Sequence, residues 1–204
     1  MNETLNQCDL LITGGQVIDG TGCPAITADV ALQGDRIIAV GDLTVGKAEA
    51  VIDARGKVIT PGFIDVHTHD DRLLLVNPEV TPKLSQGVTT VVVGNCGVSL
   101  SPWLSDRAPP PPLDLVFPDG KNGAHFSTFH SYSTELARRP AAINALPLIG
   151  HSTLRCGVMD RLDRPATQAE IEQMRALLRE SLAAGAGGFS TGLLQAGSIS
   201  WFPA

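Results

Sequence analysis

The chain has 204 residues, 43% of them hydrophobic, and a formal net charge of −6. That length and apolar content suffice for a sizeable core, while the few, scattered basic residues leave no nucleic-acid footprint. No apolar run reaches the roughly 18 residues of a membrane span.

The segment MNETLNQCDLLITGG has neither a basic stretch nor a long apolar one, so no secretory signal is read there and a cytoplasmic setting is expected. Cys8, Cys23, Cys96 and Cys156 are irregularly spaced, which suits free thiols or a metal role better than a disulfide framework. With 21 Gly and 14 Pro, many short elements joined by turns are expected.

In chain order, residues 9–18 carry the apolar run LLITGGQVI and predict a strand. Residues 28–32 and 36–40 flank Gln33-Gly34-Asp35, a hairpin connection. Residues 50–53 and 57–60 flank a second turn, Ala54-Arg55-Gly56. Residues 1–60 therefore predict a small antiparallel β unit. After Pro61-Gly62 the pattern changes. Apolar runs at 63–67, 89–93 and 141–149, and a weaker one at 186–191, predict strands buried in a parallel sheet.

Helical stretches sit between these runs. One surrounds Leu136, starts after Ser131 or Ser133, and is stopped by Pro140. The best-marked helix covers 168–184. Thr167 is placed to cap it, and Glu170 completes a capping box. Ile171, Met174, Leu178 and Leu182 share one face, and Gly185 follows as a terminator. Residues 101–123, with four consecutive prolines from 109 to 112, read as a long loop over the end of the second of these strands. Strand–helix alternation of this kind argues for βα units.

The residues that carry chemistry start with Pro61-Gly62-Phe63-Ile64-Asp65-Val66-His67-Thr68-His69. Alternate residues of a strand point the same way, so His67 and His69 project together, roughly 6–7 Å apart at Cα. Two imidazoles at that spacing are able to converge on one divalent metal; the plain alternative is a pair of polar histidines at a strand end. Cys96 follows the run Thr89–Val93 at its C-terminal end, where parallel barrels build active sites. A thiolate there ligates zinc directly; the plain alternative is an ordinary buried cysteine. Asp65 is read as a structural hydrogen-bonder in preference to a group that supports a metal ligand, and Asp70 and Asp71 as helix caps in preference to groups that orient a ligand histidine. His151 is assigned a structural or substrate-adjacent place, and His125 and His130 to solvated loops. Cys8, Cys23 and Cys156 lack partners at metal-ligand spacing.

The motif PGFIDVHTH resembles the strand 1 signature of the amidohydrolase superfamily, whose members are distorted (β/α)8 barrels with a metal centre. The preceding VIDARGKVITPGFID is similar to the small β-sandwich that leads into that barrel. GNCG at 94–97 resembles the N-acyl-D-amino-acid deacylase (D-aminoacylase) branch, in which a strand 2 cysteine bridges the metals. The lysines, Lys47, Lys57, Lys83 and Lys121, all lie away from the fourth strand, where other branches carry a bridging carboxylated lysine. INALPLIGHSTLR at 143–155 and AAGAGGFSTGL at 183–193 also look like that branch.

The resemblance implies an α/β fold. Residues 1–60 would be a β-sandwich portion, 61–193 the first four βα units of a TIM-like barrel, and 194–204 an atypical tail. It implies Zn2+ held by His67, His69 and Cys96, and hydrolysis of the amide bond of small-molecule N-acyl-D-amino acids in the complete enzyme. Two further ligand histidines and the proton-transferring aspartate would belong to later strands. The chain is therefore expected to be a truncated, inactive or weakly metal-binding fragment, prone to self-association through an exposed barrel edge. Neither nucleic acid nor membrane is an expected partner. The competing readings are a dihydroorotase- or hydantoinase-like cyclic amidase, which the missing lysine disfavours, and a non-catalytic half-barrel.

Overall fold

The computed structural model describes residues 3–111, 113–116 and 126–192. Contacts divide the chain into two compact units, Met1–Pro61 and Gly62–Ala204.

In the first unit, β1 (Glu3–Val17), β2 (Ile26–Gln33), β3 (Arg36–Gly41) and β4 (Leu43–Asp53) form a sheet in the order β3-β2-β1-β4, and β5 (Val58–Ile59) pairs with β1. Gln33 pairs with Arg36, which leaves a tight turn with Gly34 at φ +57°, the left-handed conformation glycine adopts without steric cost. The sheet is mixed, which corrects the antiparallel expectation: β1 is antiparallel to β2 but parallel to β4 and β5. The reason is that β4 is longer than its C-terminal apolar residues suggest. Leu43, Val45 and Ala48 pack, with Leu5 and Leu11, on the buried Cys8, Ala31 and Ala39. Gly46 and Lys47 dilute that pattern in the sequence.

In the second unit, β6 (Phe63–Asp65), β7 (Val88–Val93), β8 (Asn144–Gly150) and β9 (Gly188–Ser190) lie side by side in chain order. All three pairings are parallel. Each crossover carries helix: α1 (Leu73–Val76) and α2 (Thr81–Leu84), then α3 (Phe129–Arg138), then α4 (His151–Val158) and α5 (Gln168–Ala183). Val91 and Val93 of β7 are fully buried with Leu74 and Val80. Trp103, Leu113 and Val116 come from the proline-rich loop, whose described part includes a short 3-10 turn at Leu113–Leu115; they bury against Phe129, Tyr132, Ile149 and Leu154. Among the described residues no helix is long and apolar enough to cross a membrane.

The helix ends follow local chemistry. Thr167 caps α5, and its capping box with Glu170 is present. Along α5 the buried stripe runs through Met174 and Ser181, two turns apart, and Leu182 is left 43% exposed. The cap of α3 is Thr128, not Ser131 or Ser133. The Thr128 backbone is extended and its hydroxyl accepts from the Ser131 N–H three residues on. His130 consequently sits on α3, exposed, and not in a loop. Helix α4 carries no side-chain cap, so nothing in the sequence announces it. Residues 194–204, expected as an atypical tail, and His125 lie outside the described residues.

Candidate metal centre

Strand β6 ends at Asp65, so His67 and His69 stand just past it and not within it. The chain nevertheless keeps its alignment with β7, because Thr68 N–H donates to Val92 O at 3.1 Å. With buried Thr68 turned inward between them, the two imidazoles share the opposite side. Their ring centroids are 6.1 Å apart, at 72°.

Cys96 meets them from the turn after β7. Its Sγ lies 3.0 Å from His67 Nε2. One ligand atom from each of His67, His69 and Cys96 falls within 4.8 Å of the other two. His67 is exposed, and the other two are partly buried. The buried Nδ1 of His69 has no hydrogen-bond partner among the described residues. Burial, and then the neighbouring His67, hold the basicity of His69 below the usual histidine value. Its neutral form, the one that ligates a metal, is therefore favoured near neutral pH.

The turn that presents Cys96 has an unusual backbone. Cys96 itself has φ +55°, a region that costs a residue with a side chain of order 1 kcal/mol or more. Surrounding contacts enforce it. Asn95 is buried, and its amide donates to Val92 O at 2.8 Å and to Thr68 O at 3.3 Å, tying the cysteine turn to the segment that carries both histidines. Gly94, at φ +78°, lies so close to β8 that a Cβ would stand 2.3 Å from Leu148 O.

The nearby carboxylates do separate jobs. Asp71 is 1% exposed. Its Oδ2 accepts from Gly94 N–H at 3.1 Å and its Oδ1 from Leu100 N–H at 3.4 Å, so it grips both ends of the loop around Cys96. Burial raises its carboxyl to about 7. Tyr132 Oη donates to the Asp71 carbonyl at 2.9 Å. The expectation that Asp70 and Asp71 cap a helix is corrected: α1 has Arg72 at its N-cap and no side-chain cap bond, because both carboxylates are committed elsewhere. Asp70 faces Lys83 Nζ at 3.3 Å, and Lys83 also meets Asp65 Oδ2 at 2.6 Å. Asp65 Oδ1 accepts from His67 N–H at 3.2 Å. The Lys83 ammonium holds the Asp65 carboxyl below its ordinary range. Lys83 has no signal in the sequence, since its partners Asp65 and Asp70 lie 18 and 13 positions before it.

The other singled-out residues are not members of the three-ligand group found among the described residues. His151 opens α4, half-buried, with Nδ1 3.5 Å from Thr191 Oγ1. All four cysteines are free. Cys8 and Cys156 are buried and Cys23 is exposed; burial pushes the Cys156 thiol up to about 11. One thiol and two imidazoles, one of them with an orphaned buried nitrogen, are a donor set that suits zinc.

A family model described as the amidohydrolase family matches residues 50–200. The chain belongs to the amidohydrolase family. Among its amidohydrolase relatives, an N-acyl-D-aspartate deacylase of Alcaligenes xylosoxydans xylosoxydans is 54% identical over 192 residues, which cover 94% of this chain and 38% of that protein. The crystal structure of a D-aminoacylase superposes with a TM-score of 0.86 at 52% identity, covering 91% of this chain and 39% of the other. An N-acyl-D-glutamate deacylase from Bordetella bronchiseptica, crystallised with zinc and a phosphonate mimic of the tetrahedral intermediate, gives a TM-score of 0.87 at 41% identity over 95% of this chain and 40% of that one. The chain thus spans well under half the length of these relatives.

Proposed function

We propose that this chain carries one side of the zinc centre of an N-acyl-D-amino-acid deacylase, with His67, His69 and Cys96 as ligands. The observation that carries the reading is their convergence within 4.8 Å on the C-terminal side of two adjacent parallel strands, where such folds place their chemistry. Relatives that hydrolyse N-acyl-D-aspartate, and that bind zinc with a mimic of a tetrahedral intermediate, support it.

The architecture proposed with it is a β-sandwich portion over 1–60 followed by the first four βα units of a (β/α)8 barrel over 61–193. Two features favour this. The four strands run parallel in chain order with a helical crossover between each pair. Large apolar side chains along them, Phe63, Ile64, Val66, Leu146 and Phe189, are exposed, as residues are when they await further strands.

In the complete protein the reaction would be amide hydrolysis. Water adds to the acyl carbon, the C–N bond breaks, and a proton passes to the departing amine, giving a carboxylate and a free D-amino acid. When bound, zinc supplies Lewis acidity and lowers the pKa of a water. This chain's part is to hold the donors. His69 is kept neutral by burial, Asn95 fixes the cysteine turn to the histidine segment, and Asp65 orients the His67 backbone.

The test has two arms. The purified chain should bind zinc in an equilibrium titration, and Cys96→Ala and His67→Ala/His69→Ala should lose that binding. A full-length protein containing this sequence should release D-amino acids from N-acetyl-D-amino acids and leave hydantoins untouched. A wild-type chain that binds no zinc, or a full-length protein that opens hydantoins instead, would overturn the reading.

A further inference from the structure

Cys96 holds a strained backbone in a turn that several side chains bond. One of them comes from an element that contributes no ligand. Ser190 ends β9, and its register partner in β8 is Gly150. Gly150 has no side chain, and a Cβ there would stand 2.4 Å from Gly97 O. The cysteine turn therefore lies down over the end of β8 and reaches β9. Gly192 clears the far side in the same way, since a Cβ on it would sit 2.3 Å from Cys96 O.

In that position the Ser190 hydroxyl donates to Gly94 O and accepts from Gly97 N–H, the latter at 3.1 Å. Donor and acceptor capacity are both in use. One side chain thus bonds the residue two before the cysteine and the residue just after it. The Gly94 N–H is held from the opposite side by Asp71. Between these grips Cys96 is fixed at φ +55° with its Sγ toward His67.

We propose that Ser190 is a positioning residue for the metal centre: its hydroxyl clasps the Cys96 turn at both shoulders and keeps the thiolate in register with His67 and His69. This rests on the metal reading above. A serine that merely stabilised the fold would affect melting and leave the metal's surroundings alone. A serine that aims a ligand changes affinity and ligand field. Groups that orient metal ligands are typically worth 10–100-fold in metal affinity.

The experiment titrates Co2+ into the full chain and its Ser190→Ala, Ser190→Thr and Thr128→Ala variants. It follows the sulfur-to-cobalt charge-transfer absorption and the dissociation constant. The expected result is roughly 10–100-fold weaker binding and a reduced or shifted band for Ser190→Ala, with recovery in Ser190→Thr, which restores the hydroxyl. Thr128→Ala removes the α3 cap and should lower the melting temperature with no change in the band. If wild type binds and Ser190→Ala matches it in affinity and spectrum, the inference falls and the metal reading stands. If Ser190→Ala and Thr128→Ala weaken binding alike with unchanged spectra, Ser190 is structural only and the inference also falls. If wild type itself shows no thiolate band, the metal reading fails for this chain and takes the inference with it.

Discussion

Replacing Asp71 with asparagine should flatten the dependence of the chain's stability on pH. Asp71 is 1% exposed and its carboxyl is raised from its ordinary 3.8 to about 7, burial being the largest cause. The folded state therefore holds this proton more tightly than the unfolded state does. The stability it contributes is fully present below about pH 4 and is lost as the pH rises through about 7. Two-state linkage with these values gives a loss of about 2–3 kcal/mol between pH 5 and pH 8. Asp71→Asn has no proton to lose. It keeps an oxygen for Gly94 N–H and sets an amide against Leu100 N–H, an offset that does not vary with pH. The assay is urea unfolding of both proteins at half-unit pH steps with a chelator present, so that no metal perturbs the carboxyl. Taking the difference between the two proteins removes what the histidines contribute. Wild type should be the more stable protein near pH 5, with the gap narrowing or reversing by pH 8. A gap that stays constant across that range would refute the reasoning, and would mean that Asp71 is ionised in the folded chain throughout.

Other consequences follow from the packing. Thiol reagents should label the exposed Cys23 first and leave Cys8 and Cys156 protected, Cys156 doubly so because burial holds its thiol near 11; added zinc should slow labelling of Cys96 alone, as read by peptide mass mapping. Gly150→Ala drives a Cβ to 2.4 Å from Gly97 O and should cost roughly 1–3 kcal/mol, whereas Gly41→Ala meets no heavy atom within 4 Å and should be close to neutral; chemical denaturation compares the two. Thr167→Ala breaks the capping box of α5 and should cost about 1 kcal/mol, measured the same way, with no change in metal binding.

Several elements are legible in the sequence because their signals are local. The capping box of α5 is two side chains three positions apart, Thr167 and Glu170, and the β-branched run of β7 announces a buried strand. Parity puts the two histidines on one side and the cysteine follows a strand, but each signal taken alone leaves a plain alternative open, and only the two together point to a metal. What the sequence hides is non-local. The Lys83 bridge to Asp65 and Asp70 and the grip of Asp71 on Gly94 and Leu100 join segments that meet only after folding. Asp70 and Asp71 look like helix caps because that is the common use of such residues before an apolar run. The mixed sheet of the first unit is missed because half of β4 alternates too weakly to be seen. Helix α4 is missed because it follows directly on the apolar strand β8, whose last residue, Gly150, is also its N-cap and offers no side-chain cap. The clasp by Ser190 depends on three glycines, Gly94, Gly150 and Gly192, whose purpose is apparent only once the turn and the two strands are packed together.

The central claim is that His67, His69 and Cys96 converge on one metal ion. X-ray absorption at the zinc edge of the zinc-loaded chain tests it most directly. The account predicts one sulfur neighbour at about 2.3 Å and nitrogen neighbours at about 2.0–2.1 Å, with the sulfur shell absent from Cys96→Ala. A zinc environment of nitrogen and oxygen only in the wild-type chain would contradict it.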